Sequence, residues 1–396
     1  MVSRIGALFE ARQHAREDAQ HNAQPAHAVI SLGQIWVDIM MHVDDMPHSG
    51  GFIVSDNTTP AIGGSYRVLQ AASRMGVNAQ HAGIVGTGPW ATIIRRALDE
   101  NGIAHIGQDR IDADSGFRLV LSDGEHKTFI ATYGAEAHGD ATTFDNALPS
   151  PGDVVHISGN TLMDHTAAGI DEFMQRAGTD PAARGYTIVL NPTNTLQLVN
   201  DHLLEDLVLA RPIWSCNRQE ATTLADRLGV PIDYEDGLTV GGGFDRAMAE
   251  LCEALGGTLR APLVVRAGAR GAWVRIPGSG VTHVDGYPVK ATHTRSAGAC
   301  HTGAMCAMLA RGWSLVDAVN IANAAASLAI QRSVHGVPDC PSYADALALA
   351  NVESDDAAAD DGTAANDGTA PADAADATAA GTAADAATSA DQPAES

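Results

Sequence analysis

Little in this chain suits a membrane, a nucleic acid or an oxidising compartment. No apolar run approaches the roughly 18 residues that a bilayer span requires. Residues 1–27 are polar and rich in His and Gln. They lack the apolar segment of a secretory signal, so a flexible N-terminal extension is expected there. Cysteine is scarce and scattered: Cys216, Cys252, Cys300, Cys306 and Cys340 are odd in number and show no Cys-x-x-Cys spacing. That pattern argues against a disulfide or zinc framework and fits reduced thiols in a cytoplasmic protein. Basic residues are also few, 24 Lys and Arg against 48 Asp and Glu. Such a balance argues against a nucleic-acid surface, which must neutralise phosphates.

The acidity is unevenly spread. From residue 353 onward there is no Lys, Arg, Leu, Ile, Val or aromatic residue, but there are eleven acids. Setting these eleven aside brings the net charge of −24 to about −13 for the rest. A segment of this composition cannot bury enough apolar surface to offset backbone entropy, so 351–396 read as a disordered acidic tail.

What remains, residues 28–350, reads as one domain of strands alternating with helices. Val29, Ile30 and Leu32 make a buried first strand that ends at Gly33. His81–Gly88 reads as a strand followed by a glycine turn, and Ile53-Val54 suggests a short strand. Residues 116–122 and 127–132 alternate around Asp123-Gly124, a hairpin signal. From residue 150 the order is regular. Strands are expected at 154–158, 187–191, 212–215 and 263–266, with helices near 166–177, 198–210, 220–228 and 244–255. Strand–helix repetition calls for parallel strands with right-handed crossovers, an α/β sandwich. Ligands of such sheets bind at the carboxyl ends of the strands. The run Gly83-Ile-Val-Gly86-Thr-Gly88 could hint at a dinucleotide loop, but no acidic residue follows about 20 positions later at a strand end.

The stretch 293–311, His-Thr-Arg-Ser-Ala-Gly-Ala-Cys-His-Thr-Gly-Ala-Met-Cys-Ala-Met-Leu-Ala-Arg, opens with small residues and continues as a helix. Met305, Met308 and Leu309 can share one apolar face. Ser296-Ala297-Gly298-Ala299 would then form the helix N-terminus, where free N–H groups and the helix dipole favour an anion. A tight packing turn is the plainer alternative.

This stretch resembles the signature of the ribokinase-like (phosphofructokinase-B-type) carbohydrate kinases, Asp-Thr-x-Gly-Ala-Gly-Asp-x-x-x-Gly-Ala. Thr294, Ala297, Gly298, Gly303 and Ala304 match. His293, Ser296 and Ala299 depart from it, standing in place of Asp, Gly and the second Asp. In the family that second Asp is the general base, so the resemblance implies an anion hole at Ala297, Gly298 and Ala299 whose base position holds alanine. His301, two residues on, reads as packing. Other segments follow in family order. Gly33 through Asp38 resembles the opening motif whose Asp binds sugar hydroxyls; Asp38 could also be a solvated loop carboxylate. Gly63-Gly64 resembles the substrate-facing Gly-Gly, although the family Asn that follows is missing and Tyr66-Arg67 occupy its region; Arg67 could cross the sugar site or point to solvent. The 116–132 hairpin, ending in Gly134-Ala135-Glu136, resembles the family lid, with Glu136 at the substrate side.

On the nucleotide side, Asn217-x-x-Glu220 matches the motif that organises Mg2+ and phosphates, which makes Glu220 the metal candidate. The same spacing is that of a helix capping box. Gly268-x-x-Gly271 matches the turn beside the nucleotide, with Arg266 just before it. The Ala-rich helix 315–331, which carries Asn323, corresponds to the element bordering the adenine.

The resemblance thus implies a ribokinase-like three-layer α/β sandwich with a mainly parallel sheet and a small β-lid, its strands within 39–60 and 110–138. It implies ATP and Mg2+ as cofactors, a sugar or nucleoside as partner, and a homodimer through the lid. Nucleic acid and membrane are not expected. Two functions stay open: a kinase slowed by its missing base, and a non-catalytic relative that senses or binds the same ligands.

Overall fold

Val29 and Ile30 point to opposite faces of one strand, and this alternation repeats across the molecule. Val154/Val155, Val189/Ile188, Ile213/Trp214 and Val264/Val265 divide in the same way between two buried apolar clusters. A sheet with both faces apolar must be covered on both sides. The computed structural model describes residues 27–123, 126–232, 243–291, 294–333 and 337–351, with the backbone of the last helix continuing to 356. Nearly all of the expected N-terminal extension and acidic tail, and His293, lie outside the described residues.

In chain order the strands are β1 Ala28–Leu32, β2 Val37–His42, β3 Asn57–Ile62, β4 Asn78–His81, β5 Ala104–His105, β6 Phe117–Ser122, β7 Lys127–Thr132, β8 Val154–Ser158, β9 Thr187–Asn191, β10 Ile213–Asn217, β11 Leu263–Arg266, β12 Ala272–Ile276 and β13 Gly280–Val284. The helices are α1 Tyr66–Arg74, α2 Pro89–Glu100, α3 Ala167–Gln175, α4 Asp201–Leu209, α5 Arg218–Arg227, α6 Phe244–Leu259, α7 Ala297–Ala310, α8 Leu315–Gln331 and α9 Tyr343–Asp356. The main sheet runs β13-β12-β11-β10-β9-β8-β1-β4-β5. It is parallel from β11 to β5, and β12 and β13 join antiparallel at one edge. One face is covered by α1, α2, α7, α8 and α9, the other by α3 to α6. This is the three-layer α/β sandwich expected from the sequence.

A second sheet, β3-β2-β6-β7, forms the lid. It is mixed: β2 runs parallel to β6, while β3 and β7 are antiparallel edges. Ile53-Val54 is not a strand. Phe52, Ile53 and Val54 are exposed, and the edge strand is β3, whose Pro60 is tolerated because only one side of it must donate hydrogen bonds. The strand expected at 81–88 ends at His81, and the glycine-rich residues after it are irregular, with a single bridge from Val85 to Asp109.

Helix α7 is enclosed almost all round instead of showing one apolar face. Cys300, Ala304, Met305, Cys306, Ala307 and Met308 are all fully buried. Gly303 explains how α1 comes so close, since a Cβ there would lie 2.1 Å from the carbonyl oxygen of Val68.

Candidate functional site

Asp38 sits on β2 directly opposite Arg118 on β6. Cross-strand neighbours of opposite charge attract, and here Arg118 forks onto the carboxylate, Nε to Oδ1 at 2.9 Å and Nη2 to Oδ2 at 3.1 Å. The indole Nε1 of Trp36 also donates to Oδ1 at 2.9 Å. Arg295, from the loop that leads into α7, donates to Oδ2. Asp38 is therefore no solvated loop carboxylate; its side chain is almost wholly buried among three donors. The Arg118 guanidinium is held over the rings of Trp36 and Phe129, 5.3 and 5.2 Å from their centroids.

Gly63 and Gly64 close in on this group. A Cβ on Gly63 would meet Asp38 Oδ2 at 2.9 Å and Trp36 Nε1 at 2.6 Å. Gly64 has φ +68° and a Cβ there would lie 2.1 Å from the Gln34 carbonyl oxygen, so both the space and the backbone require glycine. The result is a cleft of about 80 Å³ walled by Asp38, Gly63, Gly64, Arg67, Arg295 and Ala299, among others. Arg67 faces this cleft and is only 7% exposed; its Nη1 donates to Gln70 Oε1 at 2.9 Å. Burial is the first cause pulling the guanidinium pKa of Arg67 down, and likewise that of Arg295, on which Arg118 and Arg67 also act by repulsion.

The first turn of α7 ends at this cleft. Ser296, its N-cap, takes φ +62°, the left-handed region where the family signature has glycine. Of the N–H groups at 297–299, that of Ala297 donates to Thr294 O at 3.2 Å. Among the described residues, those of Gly298 and Ala299 find no acceptor. Ala299 is on the cleft wall, so a residue with no basic side-chain atom stands at the position of the family base. His301 does not replace it. It is buried, its Nε2 lies 3.1 Å from Asn323 Oδ1, and burial, followed by repulsion from Arg266, lowers its pKa to about 3. A base so weak carries almost no proton affinity at neutral pH.

On the other side of that turn are the residues of the nucleotide motif. Asn217 caps α5: its Oδ1 accepts from Glu220 N at 2.8 Å, and Glu220 Oε2 accepts from Asn217 N at 2.7 Å, a complete capping box. Arg266, at the carboxyl end of β11, reaches Glu220 Oε2 at 3.4 Å and the carbonyls of Ser215 and Cys216. Gly268 and Gly271, with φ +59° and +83°, shape the turn that follows. A Cβ at Gly271 would lie 2.1 Å from Val284 O. Asn323 is buried, and its Nδ2 donates to the carbonyls of Val284 and Asp285 at 3.2 and 2.9 Å. Its amide thus ties α8 to the end of β13. Glu136 is not on the cleft wall. It is buried beneath the lid and accepts from Gly116 N at 2.8 Å and Gly134 N at 2.9 Å, while burial raises its carboxyl pKa.

The carboxylate of Glu220 offers the oxygen ligand that a hard cation such as Mg2+ takes while keeping several of its waters. Among the described residues, the group of three possible metal ligands, Asp171, His202 and Asp206, sits on α3 and α4, which contribute nothing to the cleft. No helix among the described residues is long and apolar enough to cross a membrane. Sequence reasoning missed Trp36, Arg118 and Arg295 as partners of Asp38. Arg295 occupies the variable position of the signature, and Arg118 could have been found from the alternation of the hairpin.

Residues 26–339 match the profile of the pfkB family carbohydrate kinases. The chain is 27% identical over 327 residues to the uncharacterized sugar kinase YegV of Escherichia coli (strain K12), covering 82% of this chain and 94% of that one. Its fold matches the ribokinase of Cryptococcus neoformans var. grubii serotype A in complex with ADP, with TM-score 0.64, 17% identity and coverage of 82% and 99%. It also matches the fructokinase of Xylella fastidiosa with bound ATP, with TM-score 0.63, 19% identity and coverage of 83% and 99%. A putative ribokinase II from E. coli in complex with ATP and Mg2+ is similar at TM-score 0.60, 19% identity and coverage of 82% and 99%.

Proposed function

Because the chain belongs to the pfkB family of carbohydrate kinases, we propose that it transfers the γ-phosphoryl group of ATP to a hydroxyl of a sugar or nucleoside, slowly. One observation carries this reading: Ala299 shares a cleft with Asp38, Gly63 and Gly64, and the helix turn bearing it separates that cleft from Glu220 and Arg266. Acceptor and nucleotide would meet at the free N–H groups of Gly298 and Ala299.

In this reading Asp38, Gly63 and Gly64 shape the acceptor cleft, while Glu136 holds the base of the lid. The N–H groups of Gly298 and Ala299 stabilise charge that develops on the transferred group. Arg266 adds a fixed positive charge beside them. Asn217 and Glu220 would hold Mg2+ through its waters, and that ion, when bound, offsets phosphate charge. Gly268 and Gly271 shape the nucleotide's resting place, and Asn323 positions α8 at its border. Proton removal from the acceptor is left to solvent, because Ala299 has no basic atom.

A general base contributes about 10²–10⁴-fold. Ala299→Asp should therefore raise the turnover number. The gain should fall near the lower end, about 10²-fold, because the arginines beside position 299 would depress the basicity of the new carboxylate. The assay follows ADP release across a panel of sugars and nucleosides. Should neither protein transfer phosphate while ATP or sugar raises the melting temperature, the second reading gains, a non-catalytic sensor or partner-binding protein. The alanine at the base position favours that reading.

The proposal extends to a homodimer through the lid, supported by the exposed Ile130 and Tyr133 on and beside β7, and testable by sedimentation. It also places the protein in the cytoplasm, where its five buried free thiols would stay reduced.

A further inference from the structure

The acceptor cleft carries more positive charge than a neutral sugar can use. Four charged side chains line it: Asp38, Arg67, Arg118 and Arg295. Three positive groups against one carboxylate leave a formal +2, in a chain whose net charge is −24. Asp38 answers Arg118 and Arg295 together. Arg67 forms no ion pair with a carboxylate among the described residues; it donates to the neutral amide of Gln70 and lies over the Tyr66 ring, 5.5 Å from its centroid. A guanidinium buried to this degree without a counter-charge is costly.

Asp38 supplies an independent observation. The resemblance would have it accept hydrogen bonds from sugar hydroxyls. Its two oxygens, with about four acceptor sites between them, already take two bonds from Arg118, one from Arg295 and one from Trp36 Nε1. Little capacity remains for a hydroxyl. The donors on the cleft wall now outnumber the acceptors, and they are arginines. The planar fork of arginine matches the geometry of carboxylate and phosphate oxygens.

We propose that the acceptor is a sugar derivative bearing an anionic group, a carboxylate or a phosphate, held by Arg67 and Arg295 while Arg118 stays paired with Asp38. This rests on the reading of the cleft as the acceptor site and names the class of acceptor. The anion supplies the counter-charge that Arg67 lacks. A neutral sugar offers nothing comparable and must compete with a satisfied Asp38.

The test is calorimetric titration of the full chain with matched pairs: gluconate against glucose, ribose 5-phosphate against ribose, fructose 6-phosphate against fructose. In at least one pair the charged member should bind ten-fold or more tightly than its neutral partner, and less tightly as salt rises. The carboxylate and phosphate arms tell the two groups apart. Arg67→Gln should lower that affinity at least ten-fold and leave Mg·ATP binding, the control for an intact fold, in place. Equal or tighter binding of the neutral members overturns the proposal. So does failure of every member to bind while Mg·ATP does, or an unchanged affinity in Arg67→Gln. Phosphoryl transfer is followed separately. A charged sugar bound but never phosphorylated sinks the kinase reading alone, and ready phosphorylation of a neutral sugar sinks this proposal alone.

Discussion

The guanidinium of Arg266 lies against the backbone of Gly298, so close that a Cβ built on that glycine would fall 2.0 Å from Nη1. This contact joins the helix turn of the acceptor cleft to Glu220, which Arg266 also reaches. It places a positive charge at the end of α7, where the helix dipole already attracts anions.

Gly298→Ala tests that contact. The obstructing atom is the tip of a flexible side chain, so Arg266 should swing aside instead of the helix deforming. Alanine is also the better helix former, by about 1 kcal/mol. Global stability should therefore stay within about 1 kcal/mol of the parent. Mg·ATP should bind at least several-fold more weakly, because the displaced charge no longer faces the phosphates. A large loss of stability in urea, or unchanged nucleotide affinity, would show that Arg266 has no such role.

Asp38→Asn probes the opposite side of the cleft. Removing one partner of a buried ion pair costs about 3–5 kcal/mol. Arg118 and Arg295 keep 30% and 21% of their side-chain surface in water, which reduces the loss to about 2 kcal/mol. The urea midpoint should fall accordingly. The cleft would become still more positive, so ribose 5-phosphate or gluconate should bind at least as tightly as before. A loss of sugar binding in step with stability would instead make Asp38 the sugar's own acceptor.

Much of this architecture was legible in the sequence. Strand and helix order from residue 150 follows from apolar runs that must be covered on both faces, and β8, β9 and β11 begin and end where the pattern puts them. The lid hairpin follows from two-residue alternation around a turn. The edge strand β3 does not, because Asn57, Thr58 and Thr59 carry no apolar signal and the apolar Phe52–Val54 nearby are exposed. In the site, glycines and capping residues could be read, since their local backbone demands leave a mark. The charge cluster could not. Arg67, Arg118 and Arg295 come from three separate elements, and only the folded chain brings them to one cleft, where two of them meet the Asp38 carboxylate.

Ser296→Gly concerns the left-handed residue at the start of α7. A side chain in this conformation costs about 1–2 kcal/mol relative to glycine. Glycine gives back part of that by loosening the unfolded chain, about 0.4–1 kcal/mol. The variant should be more stable by about 0.5–1 kcal/mol, seen as a higher urea midpoint with an unchanged slope. A destabilised variant would mean that the hydroxyl contributes more than the backbone strain costs.

Acid should weaken the fold through its buried histidines. His81, His156 and His301 are fully enclosed, and burial lowers each pKa to about 3 from the ordinary 6.5. Neither ring nitrogen of His81 has a hydrogen-bond partner among the described residues, and His156 has only Ser31 Oγ, 2.9 Å from Nδ1. In the unfolded chain these rings take up protons below pH 6.5, while in the folded chain they do not. The unfolded state then binds more protons, so stability is complete above about pH 6.5 and is lost as pH falls towards 3. Each histidine contributes a slope of up to about 1.4 kcal/mol per pH unit in that window. Glu136 and Asp206 work the other way, since their raised pKa values favour the folded state as pH falls, but the two carboxyls oppose four imidazoles, His105 being lowered by burial as well. Urea midpoints at pH 7.5 and 5.0 should differ clearly, and His81→Gln should reduce the difference. Equal midpoints at the two pH values would mean that these rings are protonated inside the folded protein.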